Sequence, residues 1–207
     1  MKIKREKGRK TANRILEHAS ELFAEGTFRG VTVRMIAEKS GIRESSLYNH
    51  FESKADILDT LYENYMACRL GIWKNEDEIE GMINFMGPPE ILKTLFFSIQ
   101  QRMNGTFLNT VRIILAERYT DPKAASLYYQ TMVAEPVEFY EKLLNKLIKK
   151  KLIKPIDSRQ FAVEFNLASM SATMEYFMSL NGMEEKEAAV KKMARHIEFF
   201  SGLLQTG

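Results

Sequence analysis

The sequence predicts an all-α protein, with an N-terminal three-helix domain built around a helix-turn-helix and a C-terminal helical body. Three observations predict it. Apolar residues recur at three- and four-residue spacing along nearly the whole of the 207 residues. No segment shows sustained alternation with a period of two, bounded by turn residues. Near the N-terminus, two short helical runs are joined by a break centred on Gly41. Eleven Gly and five Pro are too few for a loop-rich all-β chain or a collagen-like one.

The elements follow in order. Ile15, Leu16, Ala19, Leu22 and Phe23 form one stripe of an amphipathic helix over about residues 10–25, which Gly26 is expected to stop. Thr32 suits the N-cap of the next helix, where Ile36 and Ala37 are the apolar stripe and Gly41 the end. Residues 44–51 form a second short run. Ser53 caps a longer helix with Ile57, Leu58, Leu61, Tyr65 and Leu70 on one face. The stretch 71–89, with Gly, Asn, acids and Pro88-Pro89, is expected to be a connection with partial helix. Longer helices are expected over about 89–104, 106–119, 122–151, 158–181 and 184–204, with Gly105, Asp121-Pro122, Pro155 and Asn181-Gly182 as the breaks. Pro136 falls inside the third of these and should kink or divide it.

Charge divides the chain unevenly. The net charge is +3, yet residues 1–54 hold 12 basic and 7 acidic side chains, and residues 55–207 hold 18 and 20. Lys2, Lys4, Arg5, Lys7, Arg9 and Lys10 stand against Glu6 alone in the first ten residues. A basic head of net +5 on a body of net −2 points to an anionic partner at one end. The expected domains are therefore 1–54, a helix-turn-helix domain with a basic N-terminal arm, and 55–207, a helical body.

Composition also excludes. One cysteine, Cys68, rules out a disulfide framework or a cysteine-cluster metal site. Three scattered histidines, His18, His50 and His196, cannot build a histidine metal site within one chain, so neither a metal nor another cofactor is expected. No apolar run approaches the roughly 20 residues of a membrane span, and no apolar stretch follows the basic N-terminus. The expectation is a soluble cytoplasmic protein with no membrane partner. A hydrolase triad drawn from Ser45 or Ser46, His50 and Asp56 lacks a nucleophile turn and an oxyanion hole, and no enzyme is expected.

Residues 32–54 carry the chemistry. Gly41 permits the left-handed backbone of a tight inter-helix turn. Ile36, Ala37, Ile42 and Leu47 are small or apolar enough for two short helices to cross closely over the first. The second short helix then turns Arg43, Glu44, Ser45, Ser46, Tyr48, Asn49 and His50 outward, groups able to donate to phosphates or to read base edges. Lys54 lies at the start of the next helix, where amide donors and the helix dipole also favour phosphate.

Residues 11–61 resemble the DNA-binding domain of the TetR/AcrR family of transcriptional regulators. The strings that carry the resemblance are Arg14-Ile15-Leu16, Ala19, Leu22-Phe23, Phe28, Thr32-Val33, Ile36-Ala37, Gly41-Ile42, Leu47-Tyr48-Asn49-His50-Phe51 and Ser53-Lys54. Two positions depart from the family pattern. Thr27 stands where the family usually has glycine before the aromatic, and Arg43 stands where it has a small polar residue. The resemblance implies that Tyr48, His50 and Lys54 hold phosphates and that Thr32 and Arg34 touch the flanking backbone. It further implies that Arg43, Glu44, Ser45, Ser46 and Asn49 face base edges, Arg43 with guanine in reach. Lys2 to Lys10 are expected to be a flexible arm along the DNA.

The body is rich in Met and aromatic residues, which suit an adaptable apolar pocket as well as an ordinary core. The resemblance implies a small-molecule pocket there. The expected lining is Phe96, Met103, Phe107, Tyr119, Tyr128, Met132, Phe139, Met170, Met174 and Phe177, with Arg112, Glu117, Glu135, Glu164 and Glu175 available to orient a polar group. Along 161–178 one stripe holds Phe161, Phe165, Ala168 and Ala172, and another holds Val163, Leu167, Met170, Met174 and Phe177. A helix apolar on two faces needs two partners, one of them a second subunit. The expected homodimer interface is Phe161, Phe165, Ala168 and Ala172 with Ile197, Phe200 and Leu204, which would set two reading helices about 34–36 Å apart on a palindromic operator. The resulting expectation is a ligand-responsive regulator that binds double-stranded DNA, a repressor released by a small, largely apolar effector. An activator of the same fold, or a helical protein–protein adaptor with a basic head, stays open at this point.

Overall fold

The computed structural model describes residues 2–101, 105–180, 182 and 186–204, and every regular element among them is helical. In chain order these are α1 (Lys2–Gly30), α2 (Val33–Lys39), α3 (Glu44–Leu47), α4 (Lys54–Cys68), α5 (Glu76–Phe85), α6 (Pro88–Gln101), α7 (Gly105–Glu117), α8 (Pro122–Tyr128), a π-helical turn (Tyr129–Ala134), α9 (Glu135–Lys149), α10 (Ser158–Leu180) and α11 (Lys186–Gly202). No described helix is long and apolar enough to cross a membrane.

The helices form two compact units. One holds α1–α4 with α7 and α8, and the other holds α5, α6, the π turn and α9–α11. The motif boundary expected at residue 54 is thus not where packing divides the chain. In the first unit Ile15, Ala19, Phe23, Ile36, Leu47, Ile57 and Leu61 are almost fully buried, so α1–α4 close over one core. α7 lies along α1 and buries Thr110, Val111, Ile113 and Ile114. The hydroxyl of Tyr62 on α4 donates to the Asp121 carboxylate between α7 and α8 at 3.2 Å. Burial and that carboxylate push the phenol above its ordinary range, so it stays a donor.

Capping explains most of the boundaries. Thr32 and Ser53 are N-caps whose hydroxyls accept from the amides of Met35 and Asp56. The stretch 71–89 is more helical than expected. Asn75 and Glu78 make a reciprocal capping box that starts α5, a signal present in the sequence as Asn-x-x-Glu. α4 ends at Cys68, leaving Leu70 exposed instead of on an apolar stripe. At the N-terminus, residues 2–10 continue α1, which replaces the expected flexible arm by a helical one. The break after α1's main run falls at Thr27, not at Gly26.

In the second unit α9, α10, α11 and α6 enclose one core containing Leu92, Leu95, Phe96, Tyr140, Leu144, Phe165, Ile197 and Phe200. Each such side chain contributes roughly 1.5–3 kcal/mol by leaving water. Pro136 divides its helix as expected, and the break is a π turn. Proline has no N–H to give to the carbonyl of Met132 four residues earlier. Nδ2 of Asn166 on α10 donates to that carbonyl instead, at 3.0 Å.

Candidate nucleic-acid interface

The helix-turn-helix is built from α2, a turn and α3. The turn carries Gly41 at φ 63°, with its amide donating to Glu38 O and the Ile42 amide reaching Ala37 O, each at 3.0 Å. That pair of bonds satisfies carbonyls left open at the end of α2, and it requires the left-handed residue that glycine supplies without steric cost. α2 is held to α1 by Lys39 with Glu21 at 2.9 Å and by His18 with Ser40 at 3.3 Å.

α3 is a single α-helical turn that tightens through residues 48–50 and ends with the Phe51 amide on Leu47 O. Leu47 and Phe51 are buried and fix which way it faces. Arg43, Glu44, Ser45, Tyr48 and Asn49 are consequently exposed, and Ser46 and His50 are half-buried. Tyr48 shows half of its surface to solvent with its hydroxyl available. Arg43 sits at the N-cap position, where its donor-only guanidinium cannot accept from a backbone amide, and its side chain is exposed. Thr32 and Arg34 are exposed on the same unit, although the Thr32 hydroxyl already accepts from Met35. Of the predicted reading residues, Arg43, Glu44, Ser45 and Asn49 are thus exposed along one segment, with Ser46 half-buried.

Lys54 is different. Its ammonium donates to the carbonyls of Phe28 at 2.8 Å and Val31 at 2.7 Å and lies 4.4 Å from the centre of the Phe28 ring. Two of its three donors are spent on backbone that enters α2, which gives Lys54 a role inside the fold and leaves one donor for the expected phosphate. The backbone it holds begins at Thr27, where φ is 62° and ψ 157°. This region is open almost only to glycine, and a β-branched residue held there stores roughly 1–3 kcal/mol. The departure seen in the sequence, threonine in place of glycine, is therefore met by strain that neighbouring groups must hold.

One of those groups is Glu117, expected to orient a ligand. Its carboxylate is buried and accepts from the Phe28 amide at 3.0 Å and from the Thr120 hydroxyl at 2.9 Å. The other charged candidates of the body are also partnered: Glu135 accepts from Gln130, Glu164 from Gln160, and Glu175 from Lys192. Arg112 likewise takes part in an interaction.

The expected pocket residues fall in both units. Phe107 packs on Tyr65 at 5.1 Å in the first unit, while Tyr119 stands 83% exposed beside Arg118, which also lies 5.5 Å from Tyr128. In the second unit Phe96 is spent on the core against Phe165 and His196. Phe139 stacks on Trp73, Phe177 is buried, and Met132, Met170 and Met174 are half-buried. Met103 lies outside the described residues. Within the second unit a cleft of about 250 Å³ opens among Tyr129, Val133, Val137, Arg159, Val163, Asn166 and Leu167. Sequence reasoning missed it because its shape depends on the π turn.

The expected dimer stripe is also corrected. Phe165, Ala172, Ile197, Phe200 and Leu204 are buried in the second unit's own core, and Phe161 packs on Phe200 with Ala168 half-buried. Phe165, Ala172, Ile197, Phe200 and Leu204 thus have little surface left for a second subunit, while Phe161 and Ala168 keep some. On α10, on α11 and just after it, the large apolar groups left exposed are Leu167, Met178, Val190, Phe199 and Leu203.

Comparison with known proteins agrees with this geometry. Residues 15–61 match the family model described as bacterial regulatory proteins, tetR family. Over 84 residues the chain is 44% identical to the HTH-type transcriptional repressor KstR2 of Mycobacterium tuberculosis, a match covering 41% of this chain and 40% of that protein. Over 67 residues it is 41% identical to the HTH-type transcriptional repressor KstR2 of Rhodococcus jostii, covering 32% of each. These matches span well under half the length of the curated relatives. Across the whole chain, a transcriptional regulator from Aquifex aeolicus VF5 superposes with a TM-score of 0.64 at 19% identity, covering 93% of this chain and 99% of that one. The fatty acid degradation regulator FadR from Bacillus halodurans does so with 0.59 at 17%, covering 95% of each. At such identities the likeness is one of fold.

Proposed function

We propose, on the premise that this chain belongs to the TetR family of bacterial regulators through its residues 15–61, that it is a transcriptional repressor which binds a palindromic DNA operator as a homodimer and leaves it when a small, largely apolar effector binds. The observation that carries this reading is the exposed set Arg43, Glu44, Ser45, Tyr48 and Asn49, held outward by buried Leu47 and Phe51 beyond the Gly41 turn. Short polar side chains and one exposed guanidinium on a helix of that size suit the major groove. The basic head supplies the salt-dependent part of the affinity. Repression is favoured over activation by the partial matches to proteins named as repressors. This reading places the protein in the cytoplasm, with the DNA.

The second subunit would cover the apolar groups that one chain leaves exposed on α10 and α11. The effector would bind in the second unit, whose Met and aromatic side chains offer an adaptable apolar surface, and it would act only to the extent that it prefers the DNA-free state. Selection of DNA from a random pool tests the reading directly. The expected outcome is enrichment of a two-fold symmetric site, bound with an affinity that falls steeply as salt rises; no enrichment would refute it. Leu167→Glu is expected to give monomers by light scattering, while wild-type protein is dimeric, and a persisting dimer would place the interface elsewhere.

A further inference from the structure

We propose that Glu117, 89 residues away in the chain from the turn it holds, is a positioning residue for the DNA-reading face. Its buried carboxylate keeps the Thr27–Phe28 turn in a conformation that the local sequence disfavours, and the placement of α2 and α3 depends on that turn. The inference rests on the DNA-binding reading above.

Three observations meet at one residue. Because Thr27 leaves the helical region at φ 62°, the Phe28 amide loses a helical acceptor, and Glu117 Oε1 takes it at 3.0 Å. The Phe28 carbonyl is taken by Lys54 Nζ at 2.8 Å, and the same ammonium lies over the Phe28 ring. The two polar atoms of a single residue are thus held by an anion from α7 and a cation from α4, each through a charge-assisted hydrogen bond. A buried carboxylate is costly unless its donors are well placed. Here both oxygens are used, the second by the Thr120 hydroxyl at 2.9 Å.

The strained residue explains why two charges converge there. A threonine in a glycine-only region relaxes unless its surroundings over-determine it. Val31, buried two residues before α2 begins, is tied to Lys54 as well, so a relaxed Thr27 would carry the start of α2 with it. Motion of α7, which packs along α1 within the same unit, would then reach the reading face through this one carboxylate.

The test uses the full chain, a DNA site selected by wild-type protein, and amide exchange at Phe28. Glu117→Ala and the space-filling Glu117→Met are expected to bind that site about tenfold or more weakly and to lose protection of the Phe28 amide while Ile36 stays protected. Glu117→Gln, which keeps an acceptor, is expected to stay within about threefold of wild type. Thr27→Gly combined with Glu117→Ala is expected to recover binding to within about threefold of wild type, since glycine holds the turn unaided. Wild-type affinity in both Glu117→Ala and Glu117→Met would overturn the proposal, as would a folded double variant that binds no better than Glu117→Ala. If the wild-type chain selects no DNA, the functional reading fails, and Phe28 exchange alone decides whether Glu117 holds the turn.

Discussion

The two turns that flank α2 have nearly the same φ and opposite origins. Gly41 stands at φ 63° and Thr27 at φ 62°. At Gly41 the residue itself permits the conformation, and bonds to Glu38 and Ala37 within the preceding helix complete it. At Thr27 the residue opposes the conformation, and the groups that hold it come from α4 and α7. A left-handed position can therefore be local and self-sufficient, or imposed from a distance. Only the second kind can transmit movement from elsewhere. Lys151, at φ 59°, is an intermediate case. It closes α9 with the Leu152 amide on Leu147 O, so a helix end supports it without distant partners.

This comparison can be broken or sharpened by substitution. The largest effect is expected from Gly41→Val, which places a β-branched residue in the left-handed region and moves α3. A loss of about 2 kcal/mol or more in chemical denaturation should accompany loss of DNA binding, and a variant that bound DNA normally would show that the turn tolerates rebuilding. Next comes Lys54→Ala, which removes two hydrogen bonds and should cost about 2 kcal/mol of stability. It should leave the slope of log affinity against log salt nearly unchanged, whereas Arg34→Ala should lower that slope by about one. A lowered slope for Lys54→Ala would show the phosphate contact that the sequence led us to expect. Smallest is Thr27→Gly, expected to raise stability by about 1 kcal/mol, a rise of a few degrees in Tm, because the strain is removed. A fall in Tm would mean that threonine makes compensating contacts.

Much of the interface was legible in the residues. Gly41, Thr32 and Ser53 announce their turns and caps by local chemistry, and the spacing of Leu47 and Phe51 decides which way Tyr48 and Asn49 point. The capping box at Asn75 and Glu78 was equally local and could have been found by the same rule. Lys54 and Glu117 could not. A lysine at a helix start and a glutamate in an apolar run look like a phosphate ligand and a ligand-orienting group, and their partners lie 26 and 89 residues away. The same holds for α10. Its two apolar stripes were visible, but their composition does not say which one meets its own chain.

Helix periodicity, caps, the glycine turn and the basic head were determined by the sequence alone, because each arises from interactions within a few residues. Tertiary packing decided which stripe of α10 is buried, where the break at Pro136 finds its missing donor, and how a threonine keeps a backbone made for glycine. Those outcomes depend on which distant side chain arrives to satisfy a buried amide or carbonyl. Period and propensity carry no record of that meeting, since it exists only once α4, α7 and α10 have packed.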